Sequence, residues 1–339
     1  MLKLIIALLL TGAGMLLVGP KVLPILRRLK FGQTIYELGP QSHKAKQGTP
    51  TMGGIMFAAL SCLVALAVHV TTGLASSFLI ALLSLSLCCM GIGFVDDYIK
   101  VIKKRSLGLV WWQKVIGQVV IGIAFSAYCY FNPLIGSKIL IPFWNIEWDL
   151  KLFYIPVMTL LTMFIVNSAN LQDGLDGLLS SVTVVGSCAW GLIAWLLSHA
   201  TAVAIQPVWL GNLQGVAVFA FALVGGCLGF LRFNRYPAQV FMGDTGSMFI
   251  GGAMVGMAML LRMPLLLILI AFTMIMSSVS VMLQVAYFKL THGKRIFKMS
   301  PIHHHFELSG MTERQIVWMY AIATLITSTV AILLPKTLV

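Results

Sequence analysis

Long apolar runs divide this chain, and they limit its fold before any motif is considered. Runs of membrane-crossing length lie near 1–19, 51–70, 76–95, 115–131, 152–170, 177–197, 208–231, 246–261, 264–288 and 315–334. A bilayer needs about 20 apolar residues per helix. In lipid the backbone must satisfy its own hydrogen bonds, and a helix does so. Hydrophobic residues make up 59 % of the chain and charged residues only 10 %, against about 25 % charged in soluble domains. The expectation is an all-α polytopic membrane protein of about ten transmembrane helices, forming a single integral membrane domain over residues 1–339. The first run lacks a convincing small-x-small cleavage site before the basic segment Lys21 to Lys30, so it reads as a helix and not a signal peptide.

Lysine and arginine set the expected orientation. With the loop after the first helix in the cytoplasm, 18 of 23 Lys and Arg face inward, among them Lys21, Arg27, Arg28, Lys30, Lys44, Lys46, Lys100, Lys104, Arg105 and Lys114. Lys3, Lys138, Lys151, Arg262 and Lys336 face out. By the positive-inside rule both termini are then outside. The outer connection 132–151 contains a stretch suited to a small hairpin between helices 4 and 5, with Trp144 and Trp148 at the membrane interface. The ninth run, from Pro264 to Phe288, would be about 38 Å long as one helix, too long for a core of about 30 Å without tilting, bending or protruding. Ser277, Ser278, Ser280 and Gln284 are the expected places for a break. All six cysteines fall in apolar runs without Cys-x-x-Cys spacing, which excludes a disulfide framework or a zinc site.

Charge is scarce, so its placement is informative. Of ten acidic residues, five sit in three short motifs: Asp96-Asp97-x-x-Lys100, Asn170-Leu-x-Asp173-Gly-Leu-Asp176-Gly177 and Phe241-Met-Gly-Asp244. Each abuts an apolar run, where a carboxylate costs roughly 2.5–3.5 kcal/mol if it enters the bilayer centre. A divalent cation is the first candidate partner, since hard cations such as Mg²⁺ take a few carboxylates together with phosphate oxygens. Neighbouring Asp96 and Asp97 point about 100° apart on a helix, so they are not expected to ligate one ion equally. Asp173 and Asp176 share a face if their segment is helical. Asn170 is a plausible helix cap or base reader, while Asn234 and Phe241 offer an amide and an aromatic face to a nucleobase. The glycine-rich opening Gly48-Thr-Pro-Thr-Met-Gly-Gly54, after Lys44 and Lys46, is a weak anion-binding candidate. His303, His304 and His305 are consecutive, which suits donors to phosphate better than one zinc ion. Each motif has an ordinary structural counterpart: a solvated helix end, a capped helix start, or an exposed basic loop.

In order along the chain, these five motifs, the last being Pro301-Ile-His-His-His-Phe-Glu307, resemble the polyprenyl-phosphate N-acetylhexosamine 1-phosphate transferases. The first and last look like the bacterial phospho-N-acetylmuramoyl-pentapeptide transferase branch. The resemblance implies that UDP-MurNAc-pentapeptide and undecaprenyl phosphate give lipid I and UMP, with Mg²⁺, at the cytoplasmic face of the bacterial inner membrane. It implies ten helices, a bent ninth helix and a homodimer among membrane lipids, with no nucleic acid as partner. Mapped onto this sequence, Asp244 is the expected metal ligand, Asp97 orients or deprotonates the attacking phosphate and Asp96 supports it. Lys100, Lys114 and His303 are expected to neutralise developing charge. Lys46, Asn170, Asp173, Asn234 and Phe241 are expected to hold the uridine, and His304 and His305 the sugar-pentapeptide end. A sister enzyme using UDP-GlcNAc is the nearest alternative, against which the histidine motif speaks. A transporter is remote, because ionisable residues gather at helix ends and not at mid-membrane.

Overall fold

The computed structural model describes residues 1–28, 46, 48–103, 108–142, 144, 146–200 and 206–334. Lys30, Lys44, Lys104, Arg105 and Lys336, used above for orientation, lie outside these residues. The described chain is helical apart from one hairpin. In order, the elements are α1 (Leu2–Arg28), α2 (Gly54–Val70), α3 (Ser77–Ile102), α4 (Trp111–Phe131), β1 (Lys138–Ile141), β2 (Ile146–Asp149), α5 (Tyr154–Gln172) and α6 (Leu178–Ser198). They continue as α7 (Pro207–Asn234), α8 (Gly243–Leu260), α9 (Leu267–Ile270), α10 (Phe272–Leu290), α11 (Ile302–Glu307) and α12 (Glu313–Leu333). Among the described residues, 8 helices are long and apolar enough to cross a membrane, and α2 is a shorter apolar helix.

α7 and α8 form the centre. In α8 every residue from Thr245 to Leu260 is buried. It packs on α3, α5 and α2, while α7 packs on α1, α6 and α2. Small residues allow the closest approaches: a Cβ at Gly54 would run into the backbone of Gly246, and one at Gly93 into the backbone of Asp244. Such contacts draw α2 and α3 onto the start of α8, where the third acidic motif lies. Apolar side chains on α1, α4, α10 and α12, such as Leu17, Val120, Leu283 and Ile326, are exposed, which is the arrangement lipid tails would cover.

β1 and β2 pair antiparallel with Lys138 opposite Asp149 and Ile141 opposite Ile146. This is the hairpin expected between helices 4 and 5. Arg262, in the turn after α8, clasps it: its backbone oxygen accepts from Leu140 N at 2.9 Å and its Nη2 donates to Glu147 Oε1 at 2.6 Å. Trp144 and Trp148 are both exposed.

The long ninth run is broken, but not where expected. A short 3-10 turn at Pro264–Leu266 and the single turn of α9 end at Ala271, and α10 then runs without interruption through Ser277, Ser278, Ser280 and Gln284. The hydroxyls do not break the helix, because Ser277 and Ser280 bond back to carbonyls of their own helix, Thr273 and Ser277. Ser278 reaches instead across to Ser168 on α5, and Gln284 holds the backbone of Ile296 and Phe297. Pro264 only starts the 3-10 turn, and the break lies at the off-helix angles of Ala271, φ −104° and ψ 23°.

Candidate active site

The C-terminal end of α3 delivers two carboxylates, the start of α4 a lysine, the start of α8 a third carboxylate, and the last turn of α5 an amide. Lys100 Nζ lies 2.6 Å from Asp96 Oδ2, 3.7 Å from Asp97 Oδ1 and 3.1 Å from Asp244 Oδ2. Lys114 Nζ lies 3.1 Å from Asp96 Oδ1 and 2.6 Å from Asp244 Oδ2. Asn170 Nδ2 donates to Asp244 Oδ1 and to Ser247 Oγ, each at 2.9 Å. The network therefore gathers Asp96, Asp97, Lys100, Lys114, Asn170 and Asp244 into one site.

Local geometry fixes each carboxylate differently. Asp97 Oδ2 accepts from Thr245 N at 2.9 Å and from Thr245 Oγ1 at 2.7 Å. Asp97 on α3 thus caps the first turn of α8, whose free amides and dipole favour an anion. Gly243 precedes this turn with φ +72°, and a side chain there would collide with Asp97 Oδ2. Asp96 Oδ1 accepts from Leu109 N at 2.7 Å. Asp244 keeps only side-chain partners and is the most open of the three, at 15 % exposure against 1 % for Asp96 and 3 % for Asp97. Although Asp96 and Asp97 point about 100° apart on their helix, one oxygen of each lies within 4.8 Å of the other and of an Asp244 oxygen. That set of hard oxygen donors fits a divalent cation.

The second acidic motif is not a helix with two acids on one face. α5 ends at Gln172, Asp173 follows as its cap, and Gly177, at φ +76°, starts α6. The acids are split by this turn. Asp173 sits between two groups of charge, and desolvation together with Asp244, Asp97 and Asp176 pushes its carboxyl well above the usual carboxylate range. Asn170 is not an N-cap but lies within α5.

Asp176 turns to a different partner. Its Oδ1 lies 2.8 Å from Lys46 Nζ and its Oδ2 accepts from Ala238 N at 2.9 Å. Burial pulls the Lys46 ammonium down, but Asp176 and Glu313 outweigh that and hold it above the usual lysine value.

The glycine-rich opening of α2 is knitted to the third motif. Phe241 N donates to Pro50 O at 2.8 Å, Gly53 N to Phe241 O at 2.9 Å and Gly54 N to Met242 O at 3.0 Å. The Gly53 and Gly54 amides are spent on these carbonyls, so they position Phe241 and Asp244 and are not open to an anion. Asn234, expected at a nucleobase, is buried, accepting from Ser180 Oγ and donating to Val240 O, each at 3.0 Å. Its amide shapes the loop that carries Phe241, which is half-buried.

His303 and His304 open α11 with ring centroids 4.3 Å apart, against Gly174, where a side chain would strike His303 Nε2. Both rings lie against Gly174, the residue that follows Asp173. His305 turns elsewhere: its Nδ1 accepts from Lys298 N at 3.1 Å and its ring meets Phe297. The sequence reading missed Thr245, which holds Asp97, Ser247, which shares the Asn170 amide, and Glu313. Thr245 carried a signal, since it follows Asp244 in the same motif.

Membrane-length helices around a carboxylate–lysine cluster, with hard donors for a cation and amines for phosphate, define an integral membrane enzyme of phosphate-linked group transfer. The family profile for Glycosyl transferase family 4 matches residues 78–262, from the start of α3 to the turn after α8. The signature "Phospho-N-acetylmuramoyl-pentapeptide-transferase signature 1" matches residues 46–57. Proteins of that name are similar over nearly the whole chain. The Heliobacterium modesticaldum protein is 43 % identical over 335 residues, 98 % of each chain. Those of Desulfitobacterium hafniense (45 % identical, 92 % of this chain and 91 % of the relative) and Clostridioides difficile (42 %, 94 % and 93 %) are similar too. The chain belongs to the phospho-N-acetylmuramoyl-pentapeptide-transferase family, and it is a multi-pass bacterial membrane protein.

Proposed function

We propose that this protein transfers phospho-MurNAc-pentapeptide from UDP-MurNAc-pentapeptide to undecaprenyl phosphate, forming lipid I and UMP for peptidoglycan synthesis. Family membership over nearly the full chain supports the substrates. The observation that carries the chemistry is the gathering of Asp96, Asp97 and Asp244 with Lys100 and Lys114. An oxygen of the acceptor phosphate attacks the β-phosphorus of the nucleotide sugar. A new P–O bond forms, and the bond from the β-phosphorus to the bridging oxygen breaks, leaving that oxygen on UMP. Such transfers depend on positioning and charge neutralisation.

Lys100 and Lys114 supply the second. They rest on three carboxylates, and phosphate oxygens arriving at the site offer them alternative partners. Asp97, held by Thr245, keeps one oxygen towards Lys100 and orients the attacking phosphate; Asp96 supports it by placing both lysines. Asp244 would be the main ligand for Mg²⁺, which when bound would neutralise pyrophosphate charge, with Asp96 and Asp97 oxygens close enough to assist. Lys46, Asp173 and Phe241 hold the uridine end. Asn170 serves it indirectly through Asp244, and Asn234 through the Val240 backbone. His303 meets developing charge beside Gly174, while His304 and His305 face the sugar-pentapeptide end.

We further propose that residues 1–339 act as one membrane domain with ten crossings, both termini outside and the site facing the cytoplasm, working as a homodimer. α2 and α8 complete the ten crossings beyond the 8 helices long and apolar enough by themselves, of which α10 is one. Purified protein given undecaprenyl phosphate with UDP-MurNAc-pentapeptide or UDP-GlcNAc tests the substrate. The expected result is UMP and a lipid product with the first donor only; a product from UDP-GlcNAc alone would reassign the enzyme to the sister branch.

A further inference from the structure

Glu313 belongs to no motif, yet it ties the nucleotide end together. It is the first residue of α12 and its side chain is 8 % exposed. Glu313 Oε2 accepts from Lys46 Nζ at 2.7 Å and from the backbone N of Asp176 at 3.3 Å. Lys46 also donates to Asp176 Oδ1, and Asp176 Oδ2 takes the Ala238 N–H. One carboxylate on α12 therefore joins two distant segments, Lys46 before the glycine-rich motif and the Asp173–Gly177 turn, and Asp176 ties these to the loop leading to Phe241. Lys46 and Arg314 both lie over the Tyr236 ring, at 5.6 and 5.8 Å, so the same loop is gripped on its aromatic face.

Glu313 is not needed to start its own helix. Thr312 caps α12, accepting from Gln315 N at 3.3 Å, while Gln315 Oε1 accepts from Thr312 N at 2.9 Å. A buried carboxylate without a capping duty has to be offset by its partners, and here the partners are Lys46 and the Asp176 amide. Sharing Lys46 between two acids also stops the ammonium from collapsing onto Asp176 alone.

We propose that Glu313 is a positioning residue for donor binding: it holds Lys46 and the Asp173–Gly177 turn in the arrangement that receives the uridine nucleotide, without touching the reacting phosphates. This rests on the reading above that Lys46 and Asp173 hold the uridine end. Glu313 therefore governs the KM for the nucleotide sugar and the affinity for UMP, and leaves kcat nearly alone.

The test uses the full-length protein in one detergent. Glu313→Gln keeps the shape and an acceptor but removes the charge, and Glu313→Ala removes both. For Glu313→Ala the expected KM for UDP-MurNAc-pentapeptide rises about tenfold, UMP affinity falls by the same factor, and kcat changes less than about twofold. Glu313→Gln falls between this and the parent. If Glu313→Ala shows no melting transition, Glu313→Gln carries the test. In a Lys46→Met background, Glu313→Gln adds little further loss of UMP affinity, because the shared cation is gone. A fall in kcat with KM and UMP affinity unchanged overturns the proposal, and so do parental values throughout. Failure of the substrate reading looks different: the parent then makes no lipid product from UDP-MurNAc-pentapeptide, while UMP titration still scores Glu313.

Discussion

Two ion clusters of similar composition are held in different ways. The first sets Lys100 and Lys114 among Asp96, Asp97 and Asp244; the second sets Lys46 between Asp176 and Glu313. In the first, Lys100 has three carboxylate neighbours and Lys114 two, and both lysines are 23 % exposed. In the second, the lysine is 13 % exposed and backbone N–H groups of Ala238 and Asp176 close the remaining positions. Charges with several near-equivalent partners can be redirected by an arriving phosphate. Asp96 and Asp97 are also held by backbone N–H groups, of Leu109 and Thr245, so the contrast lies in Asp244, whose carboxylate has side-chain partners only, and in the more exposed lysines. On the proposed reading, this difference separates a place for chemistry from a place for holding.

Substitutions test that separation. Asp244→Asn should give the largest effect, lowering kcat by about 10³-fold or more, because it weakens the cation site and the hold on both lysines. UMP affinity should stay within about threefold of the parent, measured by titration. Lys114→Met should lower kcat by about 10²-fold with a smaller change in KM, read from steady-state UMP release. Comparable losses of UMP affinity in either variant would erase the distinction between the clusters.

Smaller effects sharpen it. Thr245→Val leaves the backbone N–H to Asp97 but removes the hydroxyl donor. It should cost about 1–2 kcal/mol of stability in chemical denaturation, with a kcat loss of a few fold. Asp173 supplies the pH dependence. Its carboxyl is raised in the folded protein by desolvation and by Asp244, Asp97 and Asp176. Its contribution to stability is therefore fully present below the unfolded value of about 3.9. It falls as pH rises from there through the raised folded value. Melting temperature followed against pH should show this decline, and Asp173→Asn should flatten it.

Much of this site was legible because aspartates are so rare in an apolar chain. Asp96, Asp97, Asp244, Lys100 and Lys114 converge as their placement at helix ends implied. The hairpin was readable from its alternating residues and aromatic pair. Other features depended on tertiary contacts that no local pattern contains. The i,i+3 spacing of Asp173 and Asp176 pointed to one helix face, but Gly177 in the left-handed region starts a new helix and sends the two acids to different partners. The glycine-rich opening was a weak candidate for an anion, and tertiary contact turns its Gly53 and Gly54 amides to the carbonyls of Phe241 and Met242. The break in the ninth run fell at Ala271, since serine hydroxyls in α10 are satisfied along their own helix or by α5. Glu313 was hidden because an acid just after a capping threonine reads as an ordinary helix start.

The account rests on the phosphorus that moves. UDP-MurNAc-pentapeptide labelled at its β-phosphorus, incubated with the purified protein, Mg²⁺ and undecaprenyl phosphate, tests this in one partition experiment. The predicted result is label in the lipid phase, with unlabelled UMP released in equal amount. Label remaining with the water-soluble nucleotide, or released as inorganic phosphate without a labelled lipid, would contradict it.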